Sequence, residues 1–160
     1  MPNIDLAGIA SQLQACGITH VVWVPDSEMG GLEGHLDPAI HLVRACREGE
    51  AIAIAAGLIL GGARPAVVIQ CTGFFEAGDA FRNVAKDLQL PLFLIIGHRS
   101  RTAFLQGRSK DSAAKHLEAV LRAWELEHAV LEPDGDPAVI GETYARLQQA
   151  GSAAAVILAE

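Results

Sequence analysis

Aromatic residues are scarce: Phe, Trp and Tyr together make up 5% of the 160-residue chain. Small and aliphatic side chains must therefore fill its core, and 16 glycines beside abundant alanine let helices pack close to a sheet. Basic charge is also short, with 12 Lys and Arg against 19 Asp and Glu and a formal net charge of −7. The basic face that a nucleic-acid binder needs is missing, which sets that class aside. The longest uncharged apolar run, Ala51 to Ala63, has 13 residues, whereas a membrane helix needs about 20. The N-terminal MPNIDLAGIA has neither a basic start nor a signal-type apolar core. Only three cysteines occur, Cys16, Cys46 and Cys71, without a CxxC. An odd, scattered count reads as reduced thiols packed as small hydrophobes in a cytoplasmic protein.

Several chemical signatures are missing too. No GxGxxG follows a strand: Gly57, Gly61 and Gly62 fall inside or at the end of a helix, and Gly30, Gly31 and Gly34 have the wrong spacing. There is no GxxxxGK[ST] loop, no GxSxG elbow and no metal-ligand spacing among the six His.

What is present is a regular alternation of helix and strand patterns across one domain, residues 1–160. The pattern predicts a helix over Ile4–Cys16, capped by Asn3 and ended by Gly17, then a strand over Ile18–Val24 stopped by Pro25. A short helix near Glu28–Leu36 and a strand over Ile40–Val43 follow. Next come a helix over Glu48–Leu60, closed by Gly61 and Gly62, and a strand over Ala66–Cys71. A helix over Phe75–Leu88, a strand over Leu92–Gly97 and a polar loop over Arg99–Ser109 come after these. The chain closes with a helix over Ala113–Leu126, a strand over Ala129–Leu131, a helix over Pro137–Gln149 and a strand over Ala153–Leu158. Near-continuous apolar strands separated by helices predict a three-layer α/β sandwich around a central, mostly parallel six-stranded sheet.

Ligands of such sheets bind beyond the carboxyl ends of the strands, so the residues there carry the functional question. Glu48 opens an almost wholly apolar helix within VRACREGEAIAIAAG. It is either a carboxylate facing a cleft or, with Glu50, a solvated acid favoured by the helix dipole near Arg44 and Arg47. In VPDS, Asp26 points across the sheet end or serves as an ordinary turn and cap residue. In CTG, Gly73 admits a flat ring against the backbone or is a plain turn glycine. In GHRSR, His98 is a candidate acid–base group, and its arginines bind an anion or form a solvated loop.

VPDS, REGEAIAIAAG, CTGFFEAGDAF and LPLFLIIGHRSR, in this order and at these separations, make the chain resemble a known family. It resembles the pyrimidine-binding (PYR) domain of thiamine diphosphate-dependent 2-oxoacid decarboxylases, in the phosphonopyruvate and sulfopyruvate decarboxylase group. The likeness covers nearly the whole chain. In that family the catalytic glutamate lies nine residues before the glycine of an AAG-like helix segment, and counting back from Gly57 reaches Glu48.

The resemblance implies catalytic roles for Glu48, Asp26 and His98. It implies cofactor contacts from Glu48, Pro25, Thr72, Gly73 and Phe74, and substrate contacts from Ser27, Arg99 and Arg101, with Arg108 and Lys110 as further anion-binding candidates. The implied cofactors are thiamine diphosphate and Mg²⁺, with the metal held mainly by a partner. Glu48 would hydrogen-bond a ring nitrogen of the cofactor's aminopyrimidine. The family's second module, marked by a GDG…N signature, has no counterpart here, since Gly135-Asp136 is followed by Pro137. That implies an α subunit working in a hetero-oligomer with a β subunit that carries the diphosphate and Mg²⁺ module, on a small 2-oxoacid. Where the family shows an NSGLGN-like segment, this chain has Phe75 and Glu76, which put bulk and charge near the expected pocket. Two alternatives follow: a carboligating subunit of the same architecture, and a non-catalytic PYR-like scaffold or regulatory subunit. An unrelated α/β binding domain is a further reading.

Overall fold

The computed structural model describes residues 4–27 and 29–160. Helix α1 (Leu6–Ala15) begins at Asp5, whose Oδ1 accepts the Gly8 N–H at 2.8 Å. The expected cap, Asn3, and the expected start of the short helix, Glu28, lie outside the described residues. Gly17, at φ +67°, closes α1. Its N–H donates to Gln14 O and that of Ile18 to Leu13 O, the paired bonds of a left-handed helix stop.

Strand β1 (His20–Trp23) follows, then a 3₁₀ turn (Leu32–His35), β2 (His41–Arg44) and α2 (Glu48–Leu60). β3 (Pro65–Gln70) passes straight into α3 (Cys71–Glu76), α4 (Gly78–Phe81) and a π-helical turn over Arg82–Asp87. The sequence pattern places the start of this helix at Phe75, four residues late. β4 (Phe93–His98) is followed by α5 (Arg101–Leu105), a short helix inside the expected polar loop. The chain ends with α6 (Ser112–Ala123), β5 (Glu127–Leu131), α7 (Ala138–Ala150) and β6 (Ala154–Ala159).

The six strands lie in the order β2-β1-β3-β4-β6-β5, and every neighbouring pair is parallel. Alternate side chains feed two cores. Val22, Val67, Ile69, Leu94 and Ile96 meet α2, the α3–α4 segment and α6 on one face. Val21, Trp23, Val68, Phe93 and Ile95 meet α1, the 3₁₀ turn and α7 on the other. Both sides of β3, β4 and β6 are covered, which explains their unbroken apolar sequences. Of the thiols, Cys71 is fully buried, Cys16 is half-buried, and Cys46 is exposed in the turn ahead of α2. The expectation of a packed Cys46 is thereby corrected: it follows an edge strand and has no second layer over it. Among the described residues, no helix is long and apolar enough to cross a membrane.

From β1 the chain turns to β2 on one side and from β3 it turns to β4 on the other, so the connections diverge between the carboxyl ends of β1 and β3. That divergence opens a crevice, the usual ligand position in such sheets.

Candidate functional site

The β1–α2–α3 corner gathers the residues that the sequence singles out. Glu48 is the first residue of α2, whose N-cap is Arg47, a residue with no side-chain acceptor for the first turn. Glu50 folds back to accept the Cys46 N–H at 3.0 Å. Glu48 is half-buried and has no hydrogen-bond partner among the described residues, so its carboxylate is available. α2 packs over β1 and β3, which carries Glu48 to the start of α3. There a Cβ added to Gly73 would stand 2.2 Å from Glu48 Oε1 and 2.4 Å from its Cδ. Gly73 is therefore glycine because the Glu48 side chain lies across its backbone.

Glu76, one turn beyond Gly73, reaches the same spot. Its Oε1 accepts from Arg47 Nε at 3.2 Å and Nη2 at 3.0 Å, and its Oε2 accepts the Gly49 N–H at 3.0 Å. This carboxylate is tied to the first turn of α2. Sequence reasoning gave it no such role, because its partners lie far away along the chain. Phe75, beside it, is 36% exposed. With Thr72 from α3 and Ser112, Ala113, His116 and Val120 from α6 it lines an open groove of about 520 Å³. Phe74 is fully buried against Phe81, with ring centroids 5.2 Å apart, so its side chain belongs to the core and only its backbone reaches the rim.

Asp26 follows β1 and Pro25, and its Oδ1 accepts the Met29 N–H at 2.8 Å. That bond closes the turn, so the cap role is real, while Oδ2 is buried at the strand ends. Pro25, Ser27 and Thr72 are exposed on the same rim, and the Thr72 hydroxyl donates to Gln70 Oε1 at 3.1 Å.

His98 ends β4 and is 1% exposed. Its Nε2 contacts the Ala114 carbonyl at 3.1 Å, which only accepts, so Nε2 carries the proton and Nδ1 presents a lone pair. Among the described residues Nδ1 has no partner. Burial holds the ring's pKa below its ordinary value, with the Arg101 charge acting in the same direction. Burial also raises the Cys71 thiol, against hydrogen bonding at Arg99 and Thr72. Of the arginines, Arg99 is half-exposed, with only a 3.5 Å contact to Asp111. Arg101 is committed instead, to Glu118 at 3.1 Å and Glu132 at 2.9 Å, with 13% of its side chain exposed. Thus Glu48 and Gly73 touch, Asp26 stands on the intervening strand, and His98 and Arg99 lie beyond β3. Among the described residues, no group of three or more His, Cys, Asp or Glu side chains converges as a metal site.

Residues 7–119 match the family described as thiamine pyrophosphate enzyme, N-terminal TPP binding domain. The chain is 29% identical over 116 residues to phosphonopyruvate decarboxylase of Streptomyces viridochromogenes, covering 71% of this chain and 28% of that protein. It is 38% identical over 63 residues to sulfopyruvate decarboxylase subunit alpha of Methanocaldococcus jannaschii, covering 39% of this chain and 37% of that one. With the corresponding subunit of Methanococcus maripaludis it is 29% identical over 85 residues, covering 52% of this chain and 51% of that one. The matched stretches thus span about half of these relatives or less. Among solved structures, benzoylformate decarboxylase of Polynucleobacter necessarius superposes with a TM-score of 0.72 at 20% identity, over 97% of this chain and 30% of that one. The 4-hydroxybenzoylformate decarboxylase of Rhodococcus jostii RHA1 gives 0.72 at 20%, over 96% and 29%. At that identity the likeness speaks for the fold.

Proposed function

The chain belongs to the thiamine pyrophosphate enzymes, as their N-terminal TPP-binding domain, and from this we propose that it is the pyrimidine-holding subunit of a two-chain 2-oxoacid decarboxylase. The observation that carries the reading is the Glu48 carboxylate, partnerless among the described residues and seated over Gly73 at the β1 crevice. A carboxyl group so placed fits a ring nitrogen of an aminopyrimidine, because the half-buried rim makes that hydrogen bond stronger than it is in water. When bound, thiamine diphosphate supplies the electron sink for decarboxylation.

The residues of this chain have separate tasks in that reading. Glu48 holds the pyrimidine through a hydrogen bond at its carboxyl group. Pro25, Thr72, Gly73 and the Phe74 backbone form the rim around it. His98 and Asp26, whose Oδ1 closes the turn after β1, orient the substrate or move protons at the strand ends. Arg99 and Ser27 receive the anionic tail of the substrate, because the guanidinium of Arg101 is already paired twice. Diphosphate and Mg²⁺ are assigned to a partner chain. What supports this is that two relatives are by name alpha subunits. The names of the relatives point to 3-phosphonopyruvate or 3-sulfopyruvate as the substrate class.

The test is Glu48→Gln in the complex with the partner. CO₂ release from these acids falls by about 10²–10⁴-fold, the scale of lost proton-transfer assistance, while melting temperature is held. Near-normal release by this variant overturns the reading.

A further inference from the structure

We propose that Glu76 is a positioning residue that holds the first turn of α2, and with it Glu48, in place. The proposal rests on the reading of Glu48 given above. The N-cap of α2 is Arg47, which cannot accept a hydrogen bond from the orphan donors of the first turn. Glu76 supplies the missing acceptor from another helix. Both of its oxygens are used, and they grip the two residues on either side of Glu48: Oε1 takes the Arg47 guanidinium and Oε2 the Gly49 N–H. Gly73 and Glu76 are three residues apart, on one face of α3. One face of a single turn therefore provides both the seat of the Glu48 side chain and the anchor of its backbone.

The ion pair with Arg47 is not what stabilises this arrangement. The Arg47 side chain is 75% exposed and that of Glu76 37%, and ion pairs so exposed add little to folding. The bond to the Gly49 N–H is directional and charge-assisted, and the helix dipole favours an anion there. Its effect is to fix geometry: a carboxyl group displaced by about 1 Å at a reacting centre loses up to about 10²-fold in rate.

Amide hydrogen exchange on the full chain, together with kinetics of the complex, tests the proposal. In Glu76→Ala the Gly49 amide exchanges roughly tenfold faster, the scale of a lost cap, while the core amides of α7 keep their protection. Glu76→Gln retains an acceptor oxygen but not the charge, and falls between wild type and Glu76→Ala. In the complex, Glu76→Ala lowers kcat about tenfold at constant substrate KM, and it lowers nothing further in a Glu48→Gln background, because it acts through Glu48. Unchanged Gly49 exchange in Glu76→Ala, or independent losses in the double variant, overturns the proposal. If Glu76→Ala fails to fold, Glu76→Gln, which keeps an acceptor for Gly49 but loses the charge, carries the same test. A fully active Glu48→Gln with fast Gly49 exchange in Glu76→Ala is a separate outcome. It removes the reading of Glu48 itself, and the positioning role falls with it.

Discussion

At the scale of single residues, the contact between Glu48 and Gly73 makes a prediction in which activity and stability part. Gly73 lies within α3 at a negative φ, so alanine fits the backbone and adds up to about 1 kcal/mol of helix propensity. Its Cβ would occupy the space of the Glu48 carboxylate. Gly73→Ala therefore keeps or raises the melting temperature and lowers turnover by about 10²-fold, measurable by calorimetry beside initial rates. A variant that is both stable and fully active contradicts the contact.

His98 adds a pH signature. Its folded pKa lies below the ordinary 6.5 through burial, so protons favour the unfolded chain. The stability it contributes is complete above pH 6.5 and is lost as pH falls below that value. His20, lowered by burial and by the neighbouring His41, acts in the same direction. Melting curves between pH 8 and 5 should fall more steeply for wild type than for His98→Gln, whose amide N–H still reaches the Ala114 carbonyl. Parallel curves would show that His98 does not titrate on unfolding.

At the scale of elements, legibility followed where the determinants of each element lie. Helix α2 is read from the sequence at its true bounds, because an acidic first turn, an apolar interior and a double-glycine stop are all local signals. Helix α3 is not. Cys71-Thr72-Gly73 are poor helix formers and look like a turn, but Phe74 and Phe81, buried between α2 and the sheet, pull the segment into helix. The role of Glu76 was out of reach for a similar reason. Its partners Arg47 and Gly49 are 29 and 27 residues away, and no periodicity reports a contact at that range. The start of α1 supplies the prediction at this scale. Asp5→Ala removes the bond to the Gly8 N–H, costs about 1 kcal/mol and lowers the melting temperature by roughly 2–4 °C. An unchanged melting temperature would place the cap elsewhere.

At the scale of the whole molecule, the parallel sheet was legible because its central strands are buried on both faces and read as unbroken apolar runs. The order β2-β1-β3-β4-β6-β5 follows from packing across the chain and was not. That order matters for the site. It sets Asp26 between the strands that lead to Glu48 and to Gly73, and it puts His98 one strand further on. In the sequence these residues are a scattered set; in the sheet they share one edge. That edge gathers the Glu48 carboxylate, the buried His98 ring and the half-exposed Arg99, the set to which the proposed function gives the pyrimidine and the substrate.

The measurement that tests this most directly is CO₂ release from 3-phosphonopyruvate and 3-sulfopyruvate in the presence of thiamine diphosphate and Mg²⁺. It is made with this chain alone, with a partner that carries the diphosphate-binding module from the same source, and with the two together. The account predicts release only when both chains are present, and none when Glu48→Gln replaces the wild-type chain. Release by the partner alone at the full rate, or a stable two-chain complex that releases CO₂ from neither acid, would contradict it.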